Sequence, residues 1–328
     1  MLKILKIILT MIMVFVLIAG LITYSVGKRL THTFTPSWIT EKLSTITGYD
    51  VSIQGPVNWQ YIFTPHVSIE NIRFQSQGET LIELDHITIH PDLFSLLQKK
   101  VTMAVTFQHW RQHRLNFYQG SAHIQYDKDT LILKNIDTHG YQGQLSGQAT
   151  VNLRNTPPEF DITLRLTHAN MEDFLRDIAN TNILRGEMDG NIRLHSKGKN
   201  TTEFIQSLSG NINIHAIKGQ VEEKKNAFDQ LNINSHITDG VAHSDINVRA
   251  KNYHADGEGS INLLTKVLNL KLNAHYTHSK KTKNTGIPIY ITGTLASPQV
   301  EIDLATPLSQ LLHTDKNKLL QRLHNISG

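Results

Sequence analysis

Beyond Gly48 the chain alternates apolar and polar residues with a period of two. The clearest run sets Phe160, Ile162, Leu164 and Leu166 between Asp161, Thr163, Arg165 and Thr167. That spacing predicts a strand with one face buried and the other in water. The alternation returns in Leu145-Gly147-Ala149-Val151-Leu153, Met188-Gly190-Ile192-Leu194, Ile212-Ile214-Ala216, Ile246-Val248-Ala250, Leu268-Leu270-Leu272-Ala274 and Ile287-Ile289-Ile291. Turn signals separate these runs at Pro157-Pro158, Lys218-Gly219, Asp239-Gly240, Asp256-Gly257 and the Lys280–Thr285 stretch, which predicts antiparallel hairpins. Helical spacing is confined to residues 36–47, 91–99, 170–180 and a C-terminal stretch from about Pro307 to Leu323. The fold class expected is mainly β, with a few short helices. A phrase Gly-x-apolar-x-apolar recurs at Gly147, Gly190, Gly210, Gly259 and Gly293. Its spacing is uneven, so it predicts a repeated type of strand in one growing sheet and not a solenoid.

The N-terminus follows a different pattern. No charged residue occurs from Ile7 to Tyr24. Extended by Ile4 and Leu5, this run covers the hydrocarbon core of about 30 Å. A cleaved signal has a shorter apolar region and a small-x-small site, for which Thr23-Tyr24-Ser25 is the one weak candidate. The expectation is an uncleaved anchor: residues 1–30 hold a transmembrane helix at about 4–24. Residues 31–305 form the β-rich body, and 306–328 form an amphipathic C-terminal helix. Lys3 and Lys6 balance Lys28 and Arg29 across the span, so basic residues do not orient it.

Composition narrows the chemistry. Lys and Arg total 32 against 28 Asp and Glu, a balance too even to argue for nucleic acid. With no Cys, disulfides, thiolate metal sites and a Cys nucleophile are excluded. Of the 18 His, His109 and His113 have the i, i+4 spacing of a helical zinc site, but they lie in a stretch that reads as strand and lack a metalloprotease Glu. His195, His215, His275 and His278 fall on polar strand positions or in loops. Glu222-Glu223 sits beside Lys224-Lys225 in a charged loop. No phosphate loop and no Gly-x-Ser-x-Gly elbow is present, so no catalytic, cofactor-binding or metal-ligating residue is assigned.

Two phrases carry a family likeness: Thr47-Gly48-Tyr49-Asp50-Val51-Ser52-Ile53-Gln54-Gly55-Pro56-Val57-Asn58-Trp59 and Ile287-Pro288-Ile289-Tyr290-Ile291-Thr292-Gly293-Thr294-Leu295-Ala296-Ser297-Pro298. With Leu208-Ser209-Gly210-Asn211-Ile212 and Gly257-Glu258-Gly259-Ser260-Ile261-Asn262-Leu263, they resemble the AsmA family of bacterial envelope proteins over roughly residues 1–305. The resemblance implies a single-pass inner-membrane anchor and a periplasmic body whose long, curled, mostly antiparallel sheet forms an apolar groove. It also implies a part in moving phospholipid and in outer-membrane assembly. The chain is short for the family, with the middle of the body reduced.

On the residues alone, the apolar strand faces could equally pack together in a closed barrel or sandwich. Two functions follow. In the first, a groove holds phospholipid or another acyl-chain lipid, lined by Phe160, Ile162, Leu164, Leu166, Leu268, Leu270 and Leu272. In the second, the body is a scaffold with a closed core that binds another envelope protein. About sixteen strands at about 4.8 Å each would span at most roughly 75–80 Å.

Overall fold

The computed structural model describes residues 36–303, apart from positions 48, 61–64, 77, 93, 96–97, 99, 113, 181–183, 222–225, 277–285 and 296. The expected anchor, the expected C-terminal helix, the Glu222–Lys225 loop and the 280–285 turn lie outside the described residues. Among those described, no helix is long and apolar enough to cross a membrane.

Helix α1 (Pro36–Thr47) leads into the strands β1 (Asp50–Ile53), β2 (Val57–Gln60), β3 (His66–Ser76), β4 (Glu79–Pro91), β5 (Val101–Gln112), β6 (Leu115–Asp127), β7 (Thr130–Gly140), β8 (Gly143–Asn152) and β9 (Glu159–Asn170). Helix α2 (Met171–Ala179), β10 (Leu184–Lys197) and helix α3 (Thr201–Gln206) follow. The chain continues as β11 (Ser209–Val221), β12 (Asn226–Thr238), β13 (Val241–Arg249), β14 (Tyr253–Asn262), β15 (Val267–Tyr276), β16 (Ile287–Thr294) and β17 (Ser297–Ile302). Within the expected 91–99 helix, Pro91 closes β4, and Phe94 and Ser95 are helical.

From β3 to β17 each strand pairs antiparallel with its sequence neighbours. Strands β1 and β2 lie end to end along the other side of β3, with Val51 opposite Phe74 and Val57 opposite Ile69. All 17 strands therefore form one sheet. Its width is roughly 70 Å at the usual strand spacing, before twist and curl shorten it. Among the described residues nothing pairs with the far side of β17, so the sheet is open.

One face of this sheet is mainly apolar, with Gln112 and the hydrogen-bonded pair Ser235 and Ser244 buried on it, and it curls. The cause lies in a repeated break of the period-two pattern. In β3 the buried series runs Val67, Ile69, Ile72, Phe74, with one step of three in place of two. The same step occurs at Leu84/Ile87, Phe107/Trp110, Phe117/Gly120, Leu133/Ile136, Leu166/Ala169, Ala216/Gly219 and Phe228/Leu231. Asn71, Gln119, Asn135, His168 and Lys218 lie inside five of these steps and have φ between 49° and 55°. An extra residue of this kind bends a strand and deepens its twist. Stacked across neighbouring strands, these bulges roll the sheet around its apolar face. A single cluster accordingly joins residues of β3 to β9 with Ile212, Ile237 and Ala242 from later strands and Leu263 from the turn after β14.

The helices close what the sheet leaves open. Ile39 and Leu43 of α1 enter the main cluster beside Val51 and Ile53, each burial contributing about 1.5–3 kcal/mol. Helix α2 lays Met171, Phe174 and Leu175 over a second cluster of Leu166, Ala169, Met188, Ala216, Phe228 and Leu231. The Asp173 N–H donates to Asn170 Oδ1 at 3.0 Å, and Asn180 ends the helix in a left-handed conformation. The six-residue α3, absent from the sequence expectation, inserts Phe204 and Ile205 into the main cluster. Its start is held reciprocally: the Glu203 N–H donates to Asn200 Oδ1 at 3.0 Å, while the Asn200 amide and the Lys199 N–H donate to the Glu203 carboxylate at 2.7 and 2.8 Å. Asn200→Ala should remove this cap and cost about 1 kcal/mol, read as a lower urea midpoint with an unchanged slope.

Two expected turns are corrected. Asp256-Gly257 lies inside β14 and Lys218-Gly219 inside β11. Gly257 is there because Leu272 of β15 leans over it and leaves no room for a β-carbon. Lys218 is a bulge, not a reversal. The reversal after β13 is instead at Lys251-Asn252, closed by the Ala250 N–H donating to Tyr253 O at 2.9 Å.

Candidate functional site

The pairing register turns the apolar face into cross-strand rows. One row runs Gly147, Leu164, Ile192, Ile212, Ser235, Ser244, Gly259, Leu270, Ile291, Val300 from β8 to β17. Parallel rows connect Ile162 to Leu268 and Leu166 to Leu272. The residues expected to line a groove thus share a face, and all of them but Phe160, which stands opposite Val151 and Ser196, fall in three rows, with five strands between the two groups. Along the sheet six strand spacings separate them, a path of roughly 29 Å that twist and curl shorten.

Burial along these rows is graded. In the first half the face is filled by the protein's own side chains: Leu133, Ile124, Leu84 and Ile87 are each 0% exposed. Ile162 and Leu164 belong to this filled half, and Leu166 to the cluster under α2. Phe160 is half-buried, its ring edge-on to Phe204 with centroids 5.0 Å apart. Toward the other end the cover thins. Leu268 is still buried, Leu270 and Leu272 are half-buried, and in the last strand Val300 is 62% and Ile302 55% exposed. Ile289 and Ile291 of β16, half-buried on the same face, join them. Val300 and Ile302 were missed in the sequence because their alternation is only two apolar residues long.

The recurrent glycine phrase acquires a meaning here. Each of its glycines faces a leucine directly across a strand pair: Gly147 faces Leu164, Gly190 Leu166, Gly210 Leu194, Gly259 Leu270 and Gly293 Leu268. Removing one side chain lets the opposite leucine lie flat. Leu270 and Leu272 do so over Gly259 and Gly257, and they form a smooth apolar floor at the uncovered end. Such a surface gains free energy by covering methylenes, about 0.8 kcal/mol each, without directional polar contacts.

The polar face carries histidines paired with strand neighbours. His109 lies in β5, its Nδ1 2.9 Å from Asp85 and its ring stacked on Tyr118 at 4.7 Å; His113 is outside the described residues. His195 pairs with Asp161 at 2.9 Å, His215 with Asn232 at 2.7 Å, and His275 stacks on His254 at 4.9 Å. Among the described residues no group of three or more side chains could hold a metal ion. At the α2 end, burial pushes the Tyr141 phenol far up from its ordinary value, so it stays a neutral donor to Asp177 at 3.2 Å.

No curated protein and no solved structure matches the chain. A family match runs from residue 103 to residue 274, from β5 to β15 and over half of the chain, and it takes in β5 to β9 of the filled half, α2, α3 and the leucine floor. A long open antiparallel sheet, curled around an apolar face and matched along most of its strands, places the chain in the AsmA family.

Proposed function

We propose that this chain is an inner-membrane-anchored, non-enzymatic protein whose periplasmic body binds or transfers phospholipid in support of outer-membrane biogenesis. The observation that carries the reading is the apolar face of β14 to β17, which emerges from a filled core and loses its cover from the half-buried Leu270 and Leu272 to the exposed Val300 and Ile302. An acyl chain laid on Leu270, Leu272 and Ile289 would bury methylenes on a surface that has no polar group to satisfy. Membership of the AsmA family and the apolar, charge-free run from Ile7 to Tyr24 support the envelope setting.

Photo-crosslinking in intact membranes tests it. A benzophenone amino acid at Leu272 should give adducts with phospholipid, and the same probe at Glu258 on the opposite face should give none. The competing reading, a scaffold for outer-membrane proteins, draws on β17, all six residues of which are exposed at an open sheet edge that can accept a partner strand. Adducts at Leu272 with protein alone would replace the lipid reading with that one.

A further inference from the structure

The polar face of β11 to β15 holds a cavity of about 530 Å³ whose walls include Asn211, Asn213, Asn234 and Asn269. Four more asparagines, Asn191, Asn232, Asn247 and Asn273, continue the same face. Asparagine is disfavoured in strands, and on this face Asn211, Asn232 and Asn247 hydrogen-bond His236, His215 and Asp256. Strand β9 shows the ordinary solution, with Asp161, Thr163, Arg165 and Thr167 on its polar side. In β10 to β15 asparagines are interspersed with the basic residues Arg193, Arg249 and Lys271 on this face. Asn211 accepts from or donates to His236 Nδ1 at 3.0 Å, but Asn213, Asn234 and Asn269 make no side-chain hydrogen bond among the described residues.

A second observation concerns charge. Asp245 and Glu258 stand directly opposite each other in the β13–β14 register, a placement that costs stability through like-charge repulsion. No ion pair to either is formed among the described residues. Lys271, opposite Glu258, extends its ammonium over the Tyr290 ring, 5.8 Å from the centroid. The cavity therefore offers amides that donate and accept and two carboxylates that accept; Lys271, His236 and His243 line it too, and the carboxylates outnumber the one ammonium.

We infer that this cavity is a binding site for an uncharged, polyhydroxylated ligand, a neutral glycan. A hydroxyl group both donates to Asp245 and Glu258 and satisfies either end of an amide. Phosphate and sulfate are repelled by the carboxylates, and an acyl chain would leave every wall group unpaired. The site lies on the face opposite the leucine floor and does not depend on the lipid reading.

The test uses the full chain in a detergent without a sugar headgroup. Maltohexaose, cellohexaose and chitohexaose are titrated calorimetrically against the protein, with inositol hexakisphosphate as the anionic comparison. At least one neutral hexasaccharide should bind with a dissociation constant below about 1 mM, and inositol hexakisphosphate should not bind. The triple variant Asn213→Thr, Asn234→Thr, Asn269→Thr should weaken that binding at least tenfold. Its melting temperature should hold or rise, because threonine suits a strand better than asparagine. Thr163→Ala on β9 should leave binding unchanged. Absence of binding by all three sugars, tighter binding of the anion, or full affinity in the triple variant would each overturn the assignment.

Discussion

Leu133→Asp is expected to abolish folding, while Leu270→Asp leaves the chain folded. Leu133 is 0% exposed and faces Ile124 on one side and Ala149 on the other. A carboxylate there has neither water nor a partner, and the cost exceeds about 4 kcal/mol. Leu270 is half-buried, with Gly259 on one side and Ile291 on the other. Its replacement reaches water and forfeits only part of a leucine's burial, about 1–2 kcal/mol. Lys271→Asp, on the opposite face of the same strand, should cost no more than about 1 kcal/mol, from the carboxylate it places opposite Glu258. Urea unfolding followed by circular dichroism gives all three values. Equal losses at Leu133 and Leu270 would mean that the apolar face is one closed core from end to end, which the graded burial contradicts. In membranes, Leu270→Asp should also reduce lipid adducts at Leu272 under the proposed function.

Strand type and direction were readable from the chain because a two-residue period has only one buried face to choose, and Phe160 to Leu166 makes the choice four times over. Curvature was not readable from that period. It comes from the steps of three, as at Leu84/Ile87, which look like lapses in the alternation when each strand is read alone and like a seam of bulges only once the register is known. The same blindness misplaced two turns: Lys218-Gly219 and Asp256-Gly257 carry turn-forming residues for reasons of bulging and side-chain clearance. Helix α3 did leave a signal, Asn200-Thr201-Thr202-Glu203, a capping pair at the right spacing. Six residues are too few for a periodic stripe, so only the cap could have revealed it.

For the candidate site, the face was legible and its division was not. Ile162 and Leu270 have the same local pattern, an apolar residue between polar neighbours, and they share the apolar face. One is sealed and the other half-open because of what the sheet brings over them: α3 and the curled early strands in one case, a thinner cover in the other. Coverage is a tertiary property that alternation does not encode. The pairing of glycines with leucines sits between these extremes. The phrase was visible five times in the sequence, but its partner residues are 11 to 25 positions away and emerge only from the register.

Gly219→Val is expected to destabilise the fold by about 3–5 kcal/mol, and Phe228→Ala by a similar amount. The two residues face each other across β11 and β12, and the Phe228 ring lies flat over the glycine, occupying the space a β-carbon would need. Phe228 is 2% exposed at the centre of the cluster covered by α2, so a valine beneath it must expel the ring or part the strands. Removing the ring instead leaves a cavity among Met171, Met188 and Leu231. In the double variant the valine methyls occupy part of that cavity and nothing remains for them to displace. Its loss should fall short of the sum of the single losses by about 2 kcal/mol, within the range found for residues in direct contact. Gly120 and Phe107 repeat the arrangement across β5 and β6, and Gly120→Val with Phe107→Ala should couple in the same direction. Additive losses at both sites, measured from urea midpoints and slopes, would show that the rings do not lie over the glycines.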